Sequence, residues 1–180
     1  MKHNDIEKVL FEKDEIARRI KEVAKKICED YKDKKDILVV GILKGSFIFM
    51  SDLVRELDLD ISVDFIIASS YGNRTITSGD LKITKDLTCD ITGKHIIIAE
   101  DIVDSGITLK ALQSLLSGRG AASIKVCAFL DKKEGRLVDF DADYICFDVP
   151  NAFLVGYGLD YAEKYRELPY VGILKKEIYE

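Results

Sequence analysis

The hydrophobic positions of this chain follow two different periods, and each period predicts one type of secondary structure. Residues 16–31 carry apolar side chains at the three- and four-residue spacing of an amphipathic helix. Residues 37–42 form a continuous apolar run of strand length, and residues 124–130 form a run interrupted only by Lys125, as expected for strands that are covered on both faces. Residues 59–65 and 143–149 alternate between apolar and polar side chains, which predicts strands with one solvent-exposed face.

Small and polar residues mark where these elements begin and end. Ser46 is a suitable N-cap for a helix that continues to Leu57, and Gly118 is a suitable end for a later amphipathic helix. The segment from Ser69 to Asp80 is rich in Ser, Thr, Gly and Asn, which predicts a mobile loop. Because strands and helices alternate without a linker or a repeat, residues 1–180 are expected to form one α/β domain with an open, largely parallel sheet.

Residues 95–108 combine a strand pattern with an unusual group of polar side chains. An apolar run ends in Glu100 and Asp101, and Asp104 follows three residues later. The sequence Ser-Gly-Ile-Thr at residues 105–108 then opens an amphipathic segment. This order predicts a buried strand with carboxylates at its carboxyl end and a short loop into a helix N-terminus. Open α/β sheets bind their ligands at that edge.

The chemistry of this stretch fits a phosphorylated sugar. Backbone N–H groups at a helix N-terminus, together with the hydroxyls of Ser105 and Thr108, suit a phosphate group. The neighbouring carboxylates suit a hydrated Mg²⁺ ion or sugar hydroxyls. The glycine-rich fingerprints of P-loop and dinucleotide-binding proteins are absent. A receiver-type signalling domain would also use acids and Mg²⁺ at a sheet edge, but it would not need the Ser-Gly-x-Thr sequence.

Composition narrows the class of protein further. The chain is 47% hydrophobic and 33% charged, as in a globular protein. Its net charge of −5 disfavours nucleic acid as the main partner, and its apolar runs are too short to span a membrane. Four widely spaced cysteines predict free thiols in a reducing cytoplasm rather than a zinc site. With only two histidines, a Ser–His or Cys–His catalytic pair is disfavoured.

Several other residues are ambiguous when they are read alone. The Lys44-Gly45 pair follows one buried strand and Lys132 follows another, so each is either a solvated surface group or part of a site at the carboxyl edge. Phe153 has the pattern of a core aromatic residue. Asp160 and Arg166 have the pattern of ordinary surface charges.

Taken together, these residues resemble the hypoxanthine-guanine phosphoribosyltransferases over residues 6–174. The stretch from Glu100 to Thr108 resembles the family's motif for phosphoribosyl pyrophosphate (PRPP). Three further segments are similar to family signatures: Leu43-Lys44-Gly45-Ser46, Ser69-Ser70-Tyr71-Gly72 and Val155-Gly156-Tyr157-Gly158-Leu159-Asp160-Tyr161. The resemblance implies the type I phosphoribosyltransferase fold, an open, largely parallel twisted sheet flanked by helices, with a small hood over the carboxyl edge.

The resemblance also implies a reaction of purine salvage. Members of the family transfer the phosphoribosyl group of PRPP to a 6-oxopurine, which gives a purine nucleoside monophosphate and pyrophosphate. Asp104 is similar to the residue proposed to accept the purine N7 proton, and Glu100 and Asp101 would face the ribose hydroxyls and Mg²⁺. The residues implied to bind the 5′-phosphate are Asp104, Ser105, Gly106, Ile107 and Thr108.

The remaining implied roles concern the pyrophosphate, the purine and a lid. Lys44 and Gly45 would hold pyrophosphate, in a loop that contains a non-proline cis peptide in the family. Arg166 would help to hold pyrophosphate, and Asp160 would bind a second Mg²⁺. Lys132 would meet the purine O6. The residues implied to contact the purine are Lys132, Phe153, Leu154 and Val155, and those implied for the lid are Ser70 and Tyr71.

The implied partners are small molecules and copies of the same chain. They are PRPP, hypoxanthine or guanine, and Mg²⁺ as the cofactor, in a cytoplasmic homodimer or homotetramer without nucleic acid or membrane. Two alternatives stay open: a different phosphoribosyltransferase, and a regulatory protein that has kept the fold and senses PRPP or a nucleotide. The regions around Lys132 and Phe153 argue against the first, and the lack of a basic face argues against the second.

Overall fold

The computed structural model describes residues 3–70 and 81–180, and in this part of the chain strands and helices alternate. The strands are β1 (Ile6–Phe11), β2 (Ile37–Ile42), β3 (Ile61–Ser70), β4 (Leu81–Lys85), β5 (His95–Val103), β6 (Ser123–Asp131), β7 (Tyr144–Asp148), β8 (Leu154–Val155) and β9 (Val171–Leu174). The helices are α1 (Lys13–Tyr31), α2 (Phe47–Glu56), α3 (Ile107–Gly118) and α4 (Lys176–Tyr179). The predicted α/β class is confirmed.

Six strands form the main sheet, in the order β4-β3-β2-β5-β6-β7. β2 is parallel to both of its neighbours, with Ile37 opposite Ile61 on one side and opposite His95 on the other. β6 and β7 continue the parallel arrangement, whereas the edge strand β4 is antiparallel to β3. The carboxyl ends of β2, β5 and β6 therefore meet at one edge, where loops can bring their side chains together.

Side chains of the central strands alternate between two apolar cores. Val39 and Ile97 face the core under α1 and α2, whereas Leu38 and Ile96 face the core under α3. All four side chains are at most 1% exposed. Burial on both faces explains why β2 and residues 96–99 of β5 are continuously apolar in sequence. Among the described residues, no helix combines the length and hydrophobicity needed to cross a membrane.

A second sheet of three strands joins the two ends of the chain. β1 pairs antiparallel with β9, and β9 pairs antiparallel with β8. This sheet has a small core of its own, which includes Ile6, Tyr170 and Leu174. The loop after β8 lies against the loop after β2, because a Cβ atom on Gly158 would come within 2.1 Å of the Gly45 carbonyl oxygen. The small sheet is therefore the expected hood at the carboxyl edge.

Two local predictions about loops and caps are corrected by the structure. Ser69 and Ser70 belong to β3 rather than to a loop, because they pair with residues of β4. The remainder of the predicted loop, residues 71–80, lies outside the described residues. Ser46 stands at the N-cap position of α2, but its hydroxyl donates to the Ile42 carbonyl at 2.7 Å and does not cap the helix.

The predicted solvent-exposed face of β3 is also corrected. Val63 is 53% exposed, while Asp64, expected on the solvent side, is only 8% exposed. Val63 stays open because α2 packs over β2 and β5 rather than over β3. The burial of Asp64 is compensated by hydrogen bonds, because its carboxylate accepts from the N–H and the hydroxyl of Thr88 at 2.6 and 2.9 Å.

Candidate active site

The carboxyl end of β5 places two adjacent carboxylates in a poorly solvated position. Glu100 Oε2 is buried and has no hydrogen-bond partner among the described residues. Burial and the charge of Asp101 raise the pKa of Glu100 well above its usual value. Burial also raises the pKa of Asp101 to about 6, although the Ile102 N–H and the charge of Arg166 act in the opposite direction. Such a pair is stabilised by a bound cation.

The loop after β2 passes directly over this acidic pair. The Leu43-Lys44 peptide bond is cis, as the resemblance implies for the pyrophosphate loop. A Cβ atom on Gly45 would lie 1.5 Å from Asp101 Oδ2, so only glycine fits at this position. The Lys44-Gly45 loop and the end of β5 are therefore parts of the same site.

A different environment surrounds the next carboxylate along the chain. Asp104 Oδ2 lies 2.6 Å from Lys132 Nζ, and the lysine side chain is only 15% exposed. The sheet brings the two together, because β5 and β6 are neighbours and the Lys132 N–H donates to the Val103 carbonyl at 2.9 Å. Gly135 closes the turn beside them, where a Cβ atom would lie 1.7 Å from Asp104 Oδ1. Asp104 thus has a cation supplied by the protein itself.

Residues 105–108 form the turn into α3 that the sequence predicts. Gly106 stands at the N-cap position with a φ of 79°, in the left-handed region that favours glycine. The Ile107 N–H donates to Ser105 Oγ at 3.4 Å, which is a long hydrogen bond. The first turn of the helix consequently directs its amides and its positive dipole end toward the carboxyl edge of the sheet.

Arg136, in the segment after β6, stabilises the turn at residues 104–108. Arg136 donates a hydrogen bond to the Asp104 carbonyl and pairs with Asp131, which is fully buried. In the same segment the Leu137 N–H donates to the Ser105 carbonyl at 3.0 Å. The position of the turn at residues 104–108 is therefore fixed by residues of β6 and of the segment that follows it.

Four charged side chains meet where the loop between β8 and β9 approaches the loop after β2. Arg166 Nη1 donates to the Gly158 carbonyl at 2.8 Å, and its Nη2 lies 2.9 Å from Asp160 Oδ1. The same Nη2 lies 3.5 Å from Glu163 Oε2, which in turn lies 2.9 Å from Lys44 Nζ. The residues implied to hold pyrophosphate, Lys44 and Arg166, are brought together by the fold.

The residues implied to contact the purine lie on β8 and just before it. Phe153 is 36% exposed; its ring stacks on Tyr179 with centroids 4.8 Å apart and meets Tyr161 edge-on at 5.4 Å. Leu154 and Val155 are buried, and their backbones pair with β9. Because their side chains belong to apolar cores, these two residues could offer a ligand only backbone groups.

Comparison with known proteins identifies the family. A model of the phosphoribosyl transferase domain matches residues 8–162. The chain belongs to the phosphoribosyltransferase family. Among curated relatives, the hypoxanthine-guanine phosphoribosyltransferases of Streptococcus agalactiae serotype V and Streptococcus pneumoniae are both 51% identical to it over 179 residues. In each case the match covers 99% of this chain and 99% of the relative.

Solved phosphoribosyltransferase structures share the whole fold. A hypoxanthine phosphoribosyltransferase from Staphylococcus aureus superimposes with a TM-score of 0.94 at 43% identity, over 99% of this chain and 96% of the other. A hypoxanthine phosphoribosyl transferase from Trypanosoma cruzi gives a TM-score of 0.94 at 42% identity, with the same coverage of both chains. The resemblance inferred from the sequence motifs is confirmed.

The phosphoribosyltransferase site fits a magnesium ion that is held partly by substrate. Among residues 3–70 and 81–180, no three His, Cys, Asp or Glu side chains are arranged to hold a metal ion. The orphaned oxygen of Glu100 and the neighbouring Asp101 are hard donors, and Mg²⁺ typically uses one or two carboxylates plus substrate oxygens. Both oxygens of Asp160 are engaged, Oδ1 by Arg166 and Oδ2 by the Glu163 N–H at 2.9 Å.

Some members of this phosphoribosyltransferase site could not be singled out by sequence reasoning. Gly135 carries a weak signal, a glycine in the turn just after Lys132. Arg136 and Glu163 lie in charged segments whose other members look the same, so no local signal distinguishes them. Of the two implied lid residues, Ser70 ends β3 and Tyr71 lies outside the described part of the chain.

Proposed function

We propose that this protein is a hypoxanthine phosphoribosyltransferase of purine salvage, which transfers the 5-phosphoribosyl group of PRPP to hypoxanthine and also to guanine. The products are IMP or GMP, and pyrophosphate. The observation that carries the proposal is the 2.6 Å pair of Asp104 and Lys132 beside the N-terminus of α3. A carboxylate that accepts the N7 proton and an ammonium that donates to O6 together match a 6-oxopurine.

Asp104 and Lys132 act on the purine ring itself. A bond forms from purine N9 to the anomeric carbon while the bond from that carbon to pyrophosphate breaks, and Asp104 takes the N7 proton. Lys132 orients the base through O6 and, having no acceptor, disfavours a 6-amino group. Phe153 supplies a ring for stacking, and Leu154 and Val155 supply backbone groups.

Two further groups of residues hold the phosphates of PRPP. The turn of residues 104–108 binds the 5′-phosphate through the amides and hydroxyls at the start of α3. Lys44, the Gly45 backbone and Arg166 bind the pyrophosphate, and the two cations stabilise the negative charge that develops as it leaves. The family resemblance assigns Ser70 and Tyr71 to a lid, and such a lid would exclude water from PRPP.

The acidic pair binds the cofactor and the sugar. Glu100 and Asp101 would hold Mg²⁺ and face the ribose hydroxyls, and Asp160 would contribute to a second ion. Bound Mg²⁺ would neutralise charge on the diphosphate. The poor solvation of Glu100 supports this assignment, because a cation restores the interactions that burial removes.

The working form of the enzyme is a cytoplasmic homodimer or homotetramer. Among the described residues, three large apolar side chains are well exposed and available for such a contact, Leu137 at 74%, Val63 at 53% and Phe47 at 43%. A contiguous apolar patch formed by such side chains would mark a contact with another chain. Sedimentation at several protein concentrations distinguishes two copies from four.

The direct test is formation of nucleoside monophosphates from free bases. Purified protein is incubated with PRPP, Mg²⁺ and hypoxanthine, guanine or adenine, and the products are separated by chromatography. IMP and GMP are expected in amounts equal to the pyrophosphate released, with far less AMP. Protein that binds PRPP but forms none of these nucleotides would be a sensor rather than an enzyme. AMP formed as fast as IMP would contradict the assignment of a 6-oxopurine site.

A further inference from the structure

Glu163 connects the two cations that the proposed function assigns to pyrophosphate. Its Oε2 atom lies 2.9 Å from Lys44 Nζ and 3.5 Å from Arg166 Nη2. Lys44 and Arg166 come from distant parts of the sequence, and this one carboxylate oxygen contacts both. A single negatively charged oxygen between two cations shows where an anionic ligand oxygen would be stabilised.

The surroundings of Glu163 differ from those of the neighbouring carboxylate. Asp160 is 28% exposed on its side chain and is held twice, by Arg166 and by the Glu163 N–H. The Glu163 side chain is 65% exposed and, within the described part of the chain, its carboxylate is contacted only through Oε2. The backbone of Glu163 is fixed by Asp160, but its side chain can rotate into solvent by changing rotamers.

The two cations that Glu163 contacts are also unequal in burial. The Lys44 side chain is 64% exposed, whereas that of Arg166 is 19% exposed. Exposed ion pairs contribute little net free energy, so a ligand that carries several negative charges can displace the Glu163 carboxylate readily. Displacement leaves Lys44 and Arg166 in place with their charges directed toward the ligand.

We propose that Glu163 is an internal competitor for pyrophosphate: its carboxylate occupies the anion position between Lys44 and Arg166 until a diphosphate group displaces it. The inference rests on the proposed function, since it takes these two cations to be the pyrophosphate site. Glu163 holds the cations together in the ligand-free protein, and it returns to them when pyrophosphate leaves. It therefore weakens the binding of PRPP and of pyrophosphate and assists product release.

The test compares Glu163→Gln with Glu167→Gln as a matched control. Glu167 is an exposed residue of the same loop and makes no ion pair with any described residue. Both variants remove one negative charge, but only the first removes it from between the two cations. Calorimetric titration with magnesium pyrophosphate is carried out on the ligand-free proteins, and the KM for PRPP and for hypoxanthine is measured separately.

Glu163→Gln is expected to bind pyrophosphate about two- to fivefold more tightly than the parent, the range of an exposed ion pair. The KM for PRPP should fall by a similar factor, while the KM for hypoxanthine and the melting temperature stay unchanged. Glu167→Gln should match the parent. Equal or weaker pyrophosphate binding by Glu163→Gln would overturn the proposal and would make Glu163 a supporting residue of the site.

A second pair of variants checks that the effect passes through Lys44. In a Lys44→Met background, adding Glu163→Gln should change pyrophosphate affinity less than it does in the parent, because one of the two competing contacts is already gone. An equally large change in pyrophosphate affinity in both backgrounds would mean that Glu163→Gln acts through the net charge of the protein rather than through competition at Lys44. Calorimetry does not depend on turnover, so tighter binding by a protein that forms no IMP would refute the proposed function and leave the role of Glu163 standing.

Discussion

Asp101 and Asp104 are three residues apart at one end of the same strand, yet their surroundings are opposite. Asp101 and the adjacent Glu100 are poorly solvated, and burial raises the pKa of both. Asp104 faces a lysine at 2.6 Å that the neighbouring strand supplies. The proposed Mg²⁺ would supply the cation that the first environment lacks, whereas the second has its cation within the protein. One part of the site would thus be organised by its ligands, and the other part is organised in advance.

Removal of Mg²⁺ should produce the largest effect on activity. It should act on the acidic pair of Glu100 and Asp101 and leave the pair of Asp104 and Lys132 unchanged. We expect turnover to vanish in excess chelator and to return when Mg²⁺ is restored, because the acidic pair then lacks its cation. Unchanged far-ultraviolet circular dichroism in chelator serves as the control for folding. Full activity in metal-free buffer would show that Glu100 and Asp101 serve the sugar hydroxyls alone.

Asp104→Asn tests the pair of Asp104 and Lys132, which the protein forms without a ligand. The amide keeps the size of the side chain but is a very poor proton acceptor, so the chemical step should slow by roughly 10²–10⁴ while PRPP binding is retained. Single-turnover kinetics with hypoxanthine measures that step directly. Slowing of less than about threefold would assign the N7 proton to another group.

Lys132→Met removes the other half of the same pair. Loss of a charged hydrogen bond to O6 should lower kcat/KM for hypoxanthine by roughly 10–10², with PRPP affinity nearly unchanged. The difference in kcat/KM between hypoxanthine and adenine should narrow, although the proposed backbone contacts near Val155 would preserve part of it. Lys133→Met, at a side chain that is 63% exposed, is the matched control and should behave like the parent. An equal loss in both variants would remove the O6 role from Lys132.

Asp101→Asn should have the smallest effect, on the stability of the ligand-free protein. A carboxyl whose pKa rises from 3.8 to about 6 on folding destabilises the folded state increasingly as pH rises through that window. The full difference corresponds to about 3 kcal/mol, which sets an upper limit to the gain at pH 8. Asparagine keeps the acceptor for the Ile102 N–H and removes the charge.

Thermal unfolding of the chelated protein at pH 5 and pH 8 measures this effect. The variant should gain more over the parent at pH 8 than at pH 5, and exposed Asp60→Asn should gain at neither pH. An equal gain at both pH values would mean that Asp101 is charged without penalty in the folded state. The acidic pair would then need no added cation in the ligand-free protein, like the pair of Asp104 and Lys132.

Sequence patterns predicted those elements whose determinants lie within a few residues of one another. The apolar runs of β2 and β6 and the stripe of α1 reflect local burial, and the structure confirms all three. β1 was not predicted, because it is stabilised by pairing with β9 at the other end of the chain and not by a local pattern. β4 is short and follows a segment that has the composition of a loop.

The same division applies to the site. The stretch from Glu100 to Thr108 is a local motif, so the order of its residues is enough to indicate its chemistry. Glu163 and Arg136 depend on which loops meet in space, and an isolated charge in a charged segment carries no periodicity to reveal that. Gly45 illustrates an intermediate case, since the motif contains it but only the 1.5 Å approach to Asp101 explains why.

The small sheet that joins the chain ends has a consequence for the order of synthesis. A ribosome releases Glu100, Asp104 and Lys132 well before β9 exists, and the main sheet that positions them is complete once β7 has emerged. The loop that carries Arg166 is closed only when β9 pairs with β8, and the small sheet is complete only when β9 also pairs with β1, the first strand to be made. A nascent chain therefore acquires the pair of Asp104 and Lys132 first, and the cations proposed to hold the diphosphate are brought together last.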